Sequence, residues 1–206
     1  MKPKRALLLA AAALALVLGV FAALAMRKPD APPKFDALDI TGVDWGSDFK
    51  LTDHTGRART LADFRGKAVA MFFGFTHCPD VCPTAMAKLG ETMKLLGDDA
   101  RRVQVLFVTV DPARDTAQVL SQYVPAFHPA FLGLYNDAEG TERTAKEFRI
   151  YYRAQEPNQH GSYSVDHSGQ ILVFDTSGRL RLLMKPDLAP EAMAHDLRLL
   201  LRQSAG

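Results

Sequence analysis

Cysteine is scarce: the 206 residues hold two, Cys78 and Cys82, with three residues between them. A chain of this length builds a core without a disulfide framework. A single bridge across so short a loop would also constrain the unfolded chain little, so stability alone is a poor reason for the pair. Acidic residues are missing from positions 1–28, which carry five basic ones. The remainder has 20 basic and 23 acidic residues, a net of −3, so the overall pI of 8.6 is produced by the N-terminal segment. No Lys/Arg-rich run with interleaved aromatics occurs beyond it, which argues against nucleic-acid binding. There is no internal repeat, and no low-complexity tract outside the alanine and leucine of the N-terminus.

The longest apolar run covers residues 6–26, between Lys2, Lys4 and Arg5 on one side and Arg27 and Lys28 on the other. As a helix it would span about 32 Å, against a bilayer core of roughly 30 Å. A single transmembrane helix, with residues 1–28 as a membrane anchor, is one reading. The other is a signal peptide, for which Ala23-Leu24-Ala25 offers a small-residue cleavage pattern. The excess of basic residues before the run predicts a cytoplasmic N-terminus, and both readings export the rest. Residues 29–46, with Pro32-Pro33, read as a linker, which leaves 47–206 as one domain.

Within that domain, residues 48–52 and 58–61 flank a turn at Asp53-His54-Thr55-Gly56 and predict a hairpin. Residues 68–75 and 103–110 are apolar runs of strand length, as expected of parallel strands buried on both faces. Between them Met86, Leu89, Met93 and Leu96 recur at helical spacing, which completes a βαβ unit. A second helix is expected to start at Asp115 as N-cap, with Gln118 completing a capping box. Residues 141–148 read as helix and 155–160 as loop. Residues 171–174 and 180–184 form a hairpin around Thr176-Ser177-Gly178, and Pro190 opens a final helix. A ββ start, a βαβ crossover and a ββα finish predict a thioredoxin-like α/β sandwich.

Two thiols this close either form a disulfide or share a soft metal. Pro83 sets where the following helix begins, because a proline beyond the first turn loses a hydrogen bond and clashes with the preceding turn. The start therefore falls near Cys82, and the helix dipole is expected to favour a thiolate there, with Cys78 at the strand end beside it. A dithiol oxidoreductase of this fold usually has two intervening residues, and a proline before the strand facing the pair. Here three intervene, and His167 stands about where that proline would be. Two thiolates and an imidazole suit copper in either oxidation state. A closed zinc site wants four ligands, and three are identifiable. His54, His128, His160 and His195 read as ordinary surface or core histidines; His77 adjoins Cys78 and stays open, since its side chain misses the metal only if the strand continues that far. Met86 and Met93 read as core rather than as a methionine copper site. Asp111, at the end of a buried strand, either caps its own Asp-Pro turn, supports the site from behind the ligands, or serves as a transient ligand that stabilises Cu(II).

The segment Gly74-Phe75-Thr76-His77-Cys78-Pro79-Asp80-Val81-Cys82-Pro83 resembles the signature of the SCO (SenC) family of copper-binding proteins. Val108-Thr109-Val110-Asp111-Pro112-Ala113-Arg114-Asp115-Thr116 and Val165-Asp166-His167-Ser168 agree with it in order. The resemblance implies a copper site made by Cys78, Cys82 and His167 on a membrane-anchored thioredoxin-like domain. It also implies a metallochaperone that assists assembly of the dinuclear copper centre of cytochrome c oxidase. Expected partners are the copper-bearing oxidase subunit and a periplasmic copper donor or thiol reductant, with the domain in the periplasm and the anchor in the inner membrane. The alternative is a thiol:disulfide oxidoreductase that uses Cys78 and Cys82 as its redox pair and keeps the oxidase cysteines reduced. A peroxidase or redox sensor with Cys78 as the reactive thiol ranks last.

Overall fold

The computed structural model describes residues 34–203 and the single position Ala13, and the fold is that of the unit from Phe35 onward. The apolar run at 6–26, expected as a transmembrane helix or signal, lies outside the described residues. Among those described, no helix is long and apolar enough to cross a membrane.

The chain enters through β1 (Leu38–Asp39) and forms the expected hairpin from β2 (Leu51–Asp53) and β3 (Ala58–Arg59). The first apolar run becomes β4 (Ala68–Gly74), which leads into α1 (Val81–Leu96) and returns through β5 (Val103–Thr109). Every residue of β4 and β5 is buried, and the two pair in parallel from Ala68 beside Val103 to Gly74 beside Thr109. Then follow α2 (Ala117–Tyr123), β6 (Leu132–Tyr135), α3 (Ala138–Glu147), β7 (Tyr152–Ala154) and β8 (Val165–His167). The hairpin of β9 (Ile171–Phe174) and β10 (Leu180–Met184) and the closing helix α4 (Pro190–Gln203) complete the domain. The main sheet runs β1-β10-β9-β4-β5-β6-β2-β3, and β7 and β8 form a separate two-stranded ladder. With β6 parallel to β5 and β9 antiparallel to β4, and with α1 packed on α4, this is the thioredoxin-like α/β arrangement.

Two expectations are corrected. From Phe35 on, the segment read as a linker over 29–46 belongs to the domain: β1 pairs antiparallel with β10, and the buried carboxylate of Asp196 accepts the backbone N–H groups of Asp36 and Ala37 at 3.0 and 2.8 Å. A strand of two residues carries no periodicity, so sequence pattern cannot show it. The second helix is capped by Thr116, not Asp115: the Thr116 hydroxyl accepts from the Val119 N–H at 3.3 Å. Asp115 turns inward instead.

The two hairpins close with the same device. Asp53 is buried and its carboxylate accepts from the Thr55 N–H and hydroxyl, the Arg57 N–H and the Arg59 guanidinium. Asp175 does the same with Ser177, Arg179 and Arg181. Gly56 and Gly178, at φ of 86° and 79°, supply the left-handed turn position. Burial raises the Asp53 pKa, but the hydrogen bonds from Thr55, Arg59 and Arg57 outweigh it and hold the group at about 2. A folded-state pKa below the unfolded value means stability that is complete above the unfolded pKa and is lost as pH falls through the folded one. The contribution is about 2 kcal/mol. Urea denaturation between pH 5 and pH 2 should show that loss, and Asp53→Asn should be less stable at pH 7 by a similar amount, with a flatter acid limb. An unchanged pH profile in Asp53→Asn would show that the turn does not depend on the charge.

Candidate metal centre

The site forms where β4 ends. Gly74 is its last residue, and the chain turns tightly so that the Cys78 N–H reaches the Phe75 carbonyl at 3.3 Å. Helix α1 then begins at Val81, which puts Pro83 in the first turn, where its missing N–H would have had no partner. Cys78 is partly buried and Cys82 fully buried, and both are free thiols. His167 arrives from the end of β8. Its Nε2 stands 3.3 Å from Cys82 Sγ, and the donor atoms of Cys78, Cys82 and His167 all lie within 4.8 Å of one another. These three sequence candidates thus meet at one point.

The imidazole is fixed on its other side. His167 Nδ1 lies 2.9 Å from the Ser168 carbonyl, which can only accept, so Nδ1 carries the hydrogen and Nε2 presents its lone pair to the sulfurs. The ring also packs edge-on against Phe72 and Phe75, at 6.1 and 5.8 Å between centroids. Two sulfurs and a pre-oriented nitrogen suit a soft or borderline ion such as copper, and no fourth protein donor completes a closed zinc shell among the described residues.

The helix-dipole expectation for Cys82 is overturned. Burial pushes its thiol pKa far up, with the charge of Cys78 adding and a hydrogen bond involving Phe75 opposing. A first-turn dipole effect is modest, and loss of hydration at a fully buried sulfur is larger. A cation that takes the proton's place relieves this cost.

Behind the cysteines is a polar layer that sequence reasoning missed. Asp115 accepts from the Thr76 N–H at 3.0 Å, the Thr76 hydroxyl at 2.6 Å and the Thr109 hydroxyl at 2.6 Å, and so ties the cysteine loop to the end of β5. His77 sits over this layer, half exposed, with Nδ1 3.2 Å from Thr76 Oγ1, and does not join the ligand cluster. Asp111 also stays outside the cluster. Its carboxylate bonds the Arg114 guanidinium and accepts the Tyr163 hydroxyl at 2.8 Å, rather than capping its own turn. Arg114 then lies 3.6 Å above the Tyr163 ring and 5.8 Å from Phe75, the residue that packs on His167. The spacing Asp-Pro-x-Arg-Asp carried this signal, but a capping reading of Asp115 accounted for it first. Met86 and Met93 are core, as expected. His54 and His128 each accept a backbone N–H, and His195 lies between Asp36 and Asp196.

The fold and site define a thioredoxin-like domain with a Cys-Cys-His centre at the junction of a buried strand and a helix. The SCO1/SenC family model matches residues 39–202, and the chain belongs to that family. It is 43% identical over 145 residues to the mitochondrial SCO2 homologue of Bos taurus, a match covering 69% of this chain and 54% of that protein. It is 30% identical over 190 residues to an SCO2-like protein of Rickettsia felis, covering 90% of this chain and 93% of that one. The chain spans about half the length of the mammalian SCO2 homologues it matches. The structure of Bradyrhizobium japonicum ScoI with copper bound aligns with a TM-score of 0.70 at 36% identity, over 75% of this chain and 98% of that one.

Gly74 makes the position of the Cys82 sulfur possible. A Cβ there would stand 2.9 Å from Cys82 Sγ and 3.0 Å from both Phe107 and Phe72. Gly74→Ala should cost about 1–3 kcal/mol by overpacking, read by urea denaturation, and should raise the reactivity of Cys82 toward a thiol reagent as the sulfur is displaced. Wild-type stability together with wild-type reactivity would show that the sulfur is not seated against this glycine.

Proposed function

We propose that this chain is a membrane-anchored copper metallochaperone whose ligands are Cys78, Cys82 and His167, and that it serves assembly of the dinuclear copper centre of cytochrome c oxidase. The observation that carries the reading is the meeting of two free thiols and an oriented imidazole within 4.8 Å. The likeness to a copper-bound ScoI at 36% identity supports it, as does the match of the SCO1/SenC family model to residues 39–202. Copper is the cargo. Uptake exchanges the two thiol protons for the ion, so holding is tied to pH and to the redox state of the pair: a disulfide has no thiolate to offer. The oxidase subunit that carries the copper centre is the proposed recipient, and the donor is a periplasmic copper carrier. Asp111 is proposed to support the site from a distance, by fixing Arg114 against Phe75.

A second reading keeps the same cysteines as a thiol:disulfide couple that reduces the oxidase subunit's own cysteines. Two free thiols three residues apart on a thioredoxin-like fold favour it. His167 separates the two, because it is a ligand in the first and a bystander in the second. The domain from Phe35 onward, reduced, should bind one copper ion per chain. His167→Ala should weaken copper retention by at least tenfold against a competing chelator while Cys78 and Cys82 still oxidise to a disulfide. Loss of assembled oxidase in cells carrying His167→Ala at normal protein level supports transfer. Normal assembly despite lost copper binding would leave the reductase as the function.

The anchor at residues 6–26 is proposed to hold the domain outside the inner membrane. Protease added to cells with permeabilised outer membranes should digest the chain beyond Met26. Protection of that region would put the domain in the cytoplasm and remove the respiratory role.

A further inference from the structure

His167 stands on a part of the fold outside the main sheet: β7 and β8 form their own two-stranded ladder, and residues 153–162, from β7 into the turn, are all exposed. Exposure then alternates. Tyr163 is half-buried, Ser164 exposed, Val165 buried, Asp166 exposed and His167 half-buried, so Tyr163, Val165 and His167 share the inward face of one extended run. Val165 is held there by core packing. Tyr163 reaches the core only in part, and is held besides by the turn that follows β5. Its hydroxyl donates to Asp111 at 2.8 Å, and its carbonyl accepts from Arg114 Nη1 at 2.9 Å. Its ring centroid lies 3.6 Å from the guanidinium carbon of Arg114, which is itself paired with Asp111. The same turn holds the cysteines: Asp115, whose N–H bonds the Asp111 carbonyl at 3.0 Å, accepts the N–H and hydroxyl of Thr76. One short turn, residues 111–115, thus grips the cysteine loop with one carboxylate and the histidine strand with the other.

We propose that Tyr163 is a positioning residue of the metal centre: held by Asp111 and Arg114, it fixes the inward face of β8 and so sets where His167 Nε2 stands beside the cysteine sulfurs. This rests on the proposed metal-binding reading of the centre and adds a residue to it. A two-stranded ladder outside the main sheet has few backbone bonds to keep it in place. The bonds at Tyr163, one to a charged acceptor and one from a charged donor, are of the strong kind. Extended chain carries the constraint from Tyr163 to His167, with Val165 packed into the core between them. The Tyr163 hydroxyl bonds Asp111 and not a ligand, so it acts on the metal only through the strand.

Tyr163→Phe deletes the hydroxyl and leaves the ring for Arg114 to stack on. In the reduced full chain, purified in detergent and metal-free, hydrogen–deuterium exchange should be about fivefold faster in peptides covering residues 151–168. Peptides covering the cysteine loop, residues 74–84, should exchange as in wild type. Copper(I) retention against a competing chelator should weaken about fivefold in Tyr163→Phe, and not at all when the same change is made in a His167→Ala chain, because Tyr163 acts through that imidazole. An equal loss in both backgrounds, or none in either, would overturn the proposal and leave the copper reading intact. So would faster exchange spread evenly over both segments, which is the mark of a general loss of stability. Arg114→Lys keeps a cation beside Asp111 but loses the fork that reaches the Tyr163 carbonyl. It should give the same pattern, and it carries the test if Tyr163→Phe does not unfold cooperatively. If the wild-type chain takes up no copper, the metal-binding reading falls by itself. Exchange then decides whether Tyr163 holds the His167 strand, and an unchanged rate over residues 151–168 overturns that as well.

Discussion

The approach of Cys82 Sγ and His167 Nε2 to 3.3 Å, across 85 residues of chain, is the constraint on which the rest of the site depends. It is produced by sheet topology. Strand β9 runs antiparallel to β4 with Ile171 opposite Phe72, so each residue before Ile171 lies further along the direction in which β4 is heading. Stepping back from Ile171 therefore carries the chain past Gly74 to the edge where the cysteine loop begins. The parallel partner β5 fixes the same edge from the other side, since Gly74 lies beside Thr109 and Thr109 binds Asp115, which binds Thr76. The cysteine loop thus leaves the end of the fully buried β4, and His167, at the end of β8, stands just before the fully buried β9.

That burial has an electrostatic cost. A sulfur with no exposure cannot ionise cheaply, and neither a helix terminus nor the neutral imidazole beside it makes up the lost hydration. The same cost sharpens selectivity, because only a ligand that brings compensating positive charge makes the ionised state worth forming. Arg114 is the partly buried cation of the polar layer, and its charge is already committed to Asp111 and to the faces of Tyr163 and Phe75. The centre is thus built around a charge that it does not itself supply.

Much of this was legible in the sequence, for identifiable reasons. The parallel strands were visible because burial on both faces leaves no polar alternation, and α1 because its core face repeats at helical spacing. Cys78, Cys82 and His167 were visible because their chemistry is distinctive and their spacing awkward for anything else. What escaped was whatever depends on tertiary pairing. Strand β1 is two residues long and exists because β10 is there to receive it. Asp115 has the composition of a helix cap, and only the fold shows that Thr116 takes that task and frees the carboxylate to bind the cysteine loop. The dipole argument for Cys82 failed for the same reason: position along a helix is local, whereas burial is a property of the whole packed domain.

The choice between carrier and reductant can be framed by what each asks of the two sulfurs. A reductant needs one accessible thiolate to attack, and a second thiol close enough to release the mixed disulfide. Cys78, partly exposed, suits the first role, and Cys82 the second. A carrier needs both sulfurs ionised at once, together with a third donor that does not itself oxidise. The feature that only the carrier uses is the orientation of His167, whose Nδ1 is tied to the Ser168 carbonyl so that Nε2 faces Cys82. Disulfide exchange gains nothing from a lone pair aimed at the buried sulfur. Metal binding requires it, and the two phenylalanines packed on the imidazole keep it aimed before any ion arrives.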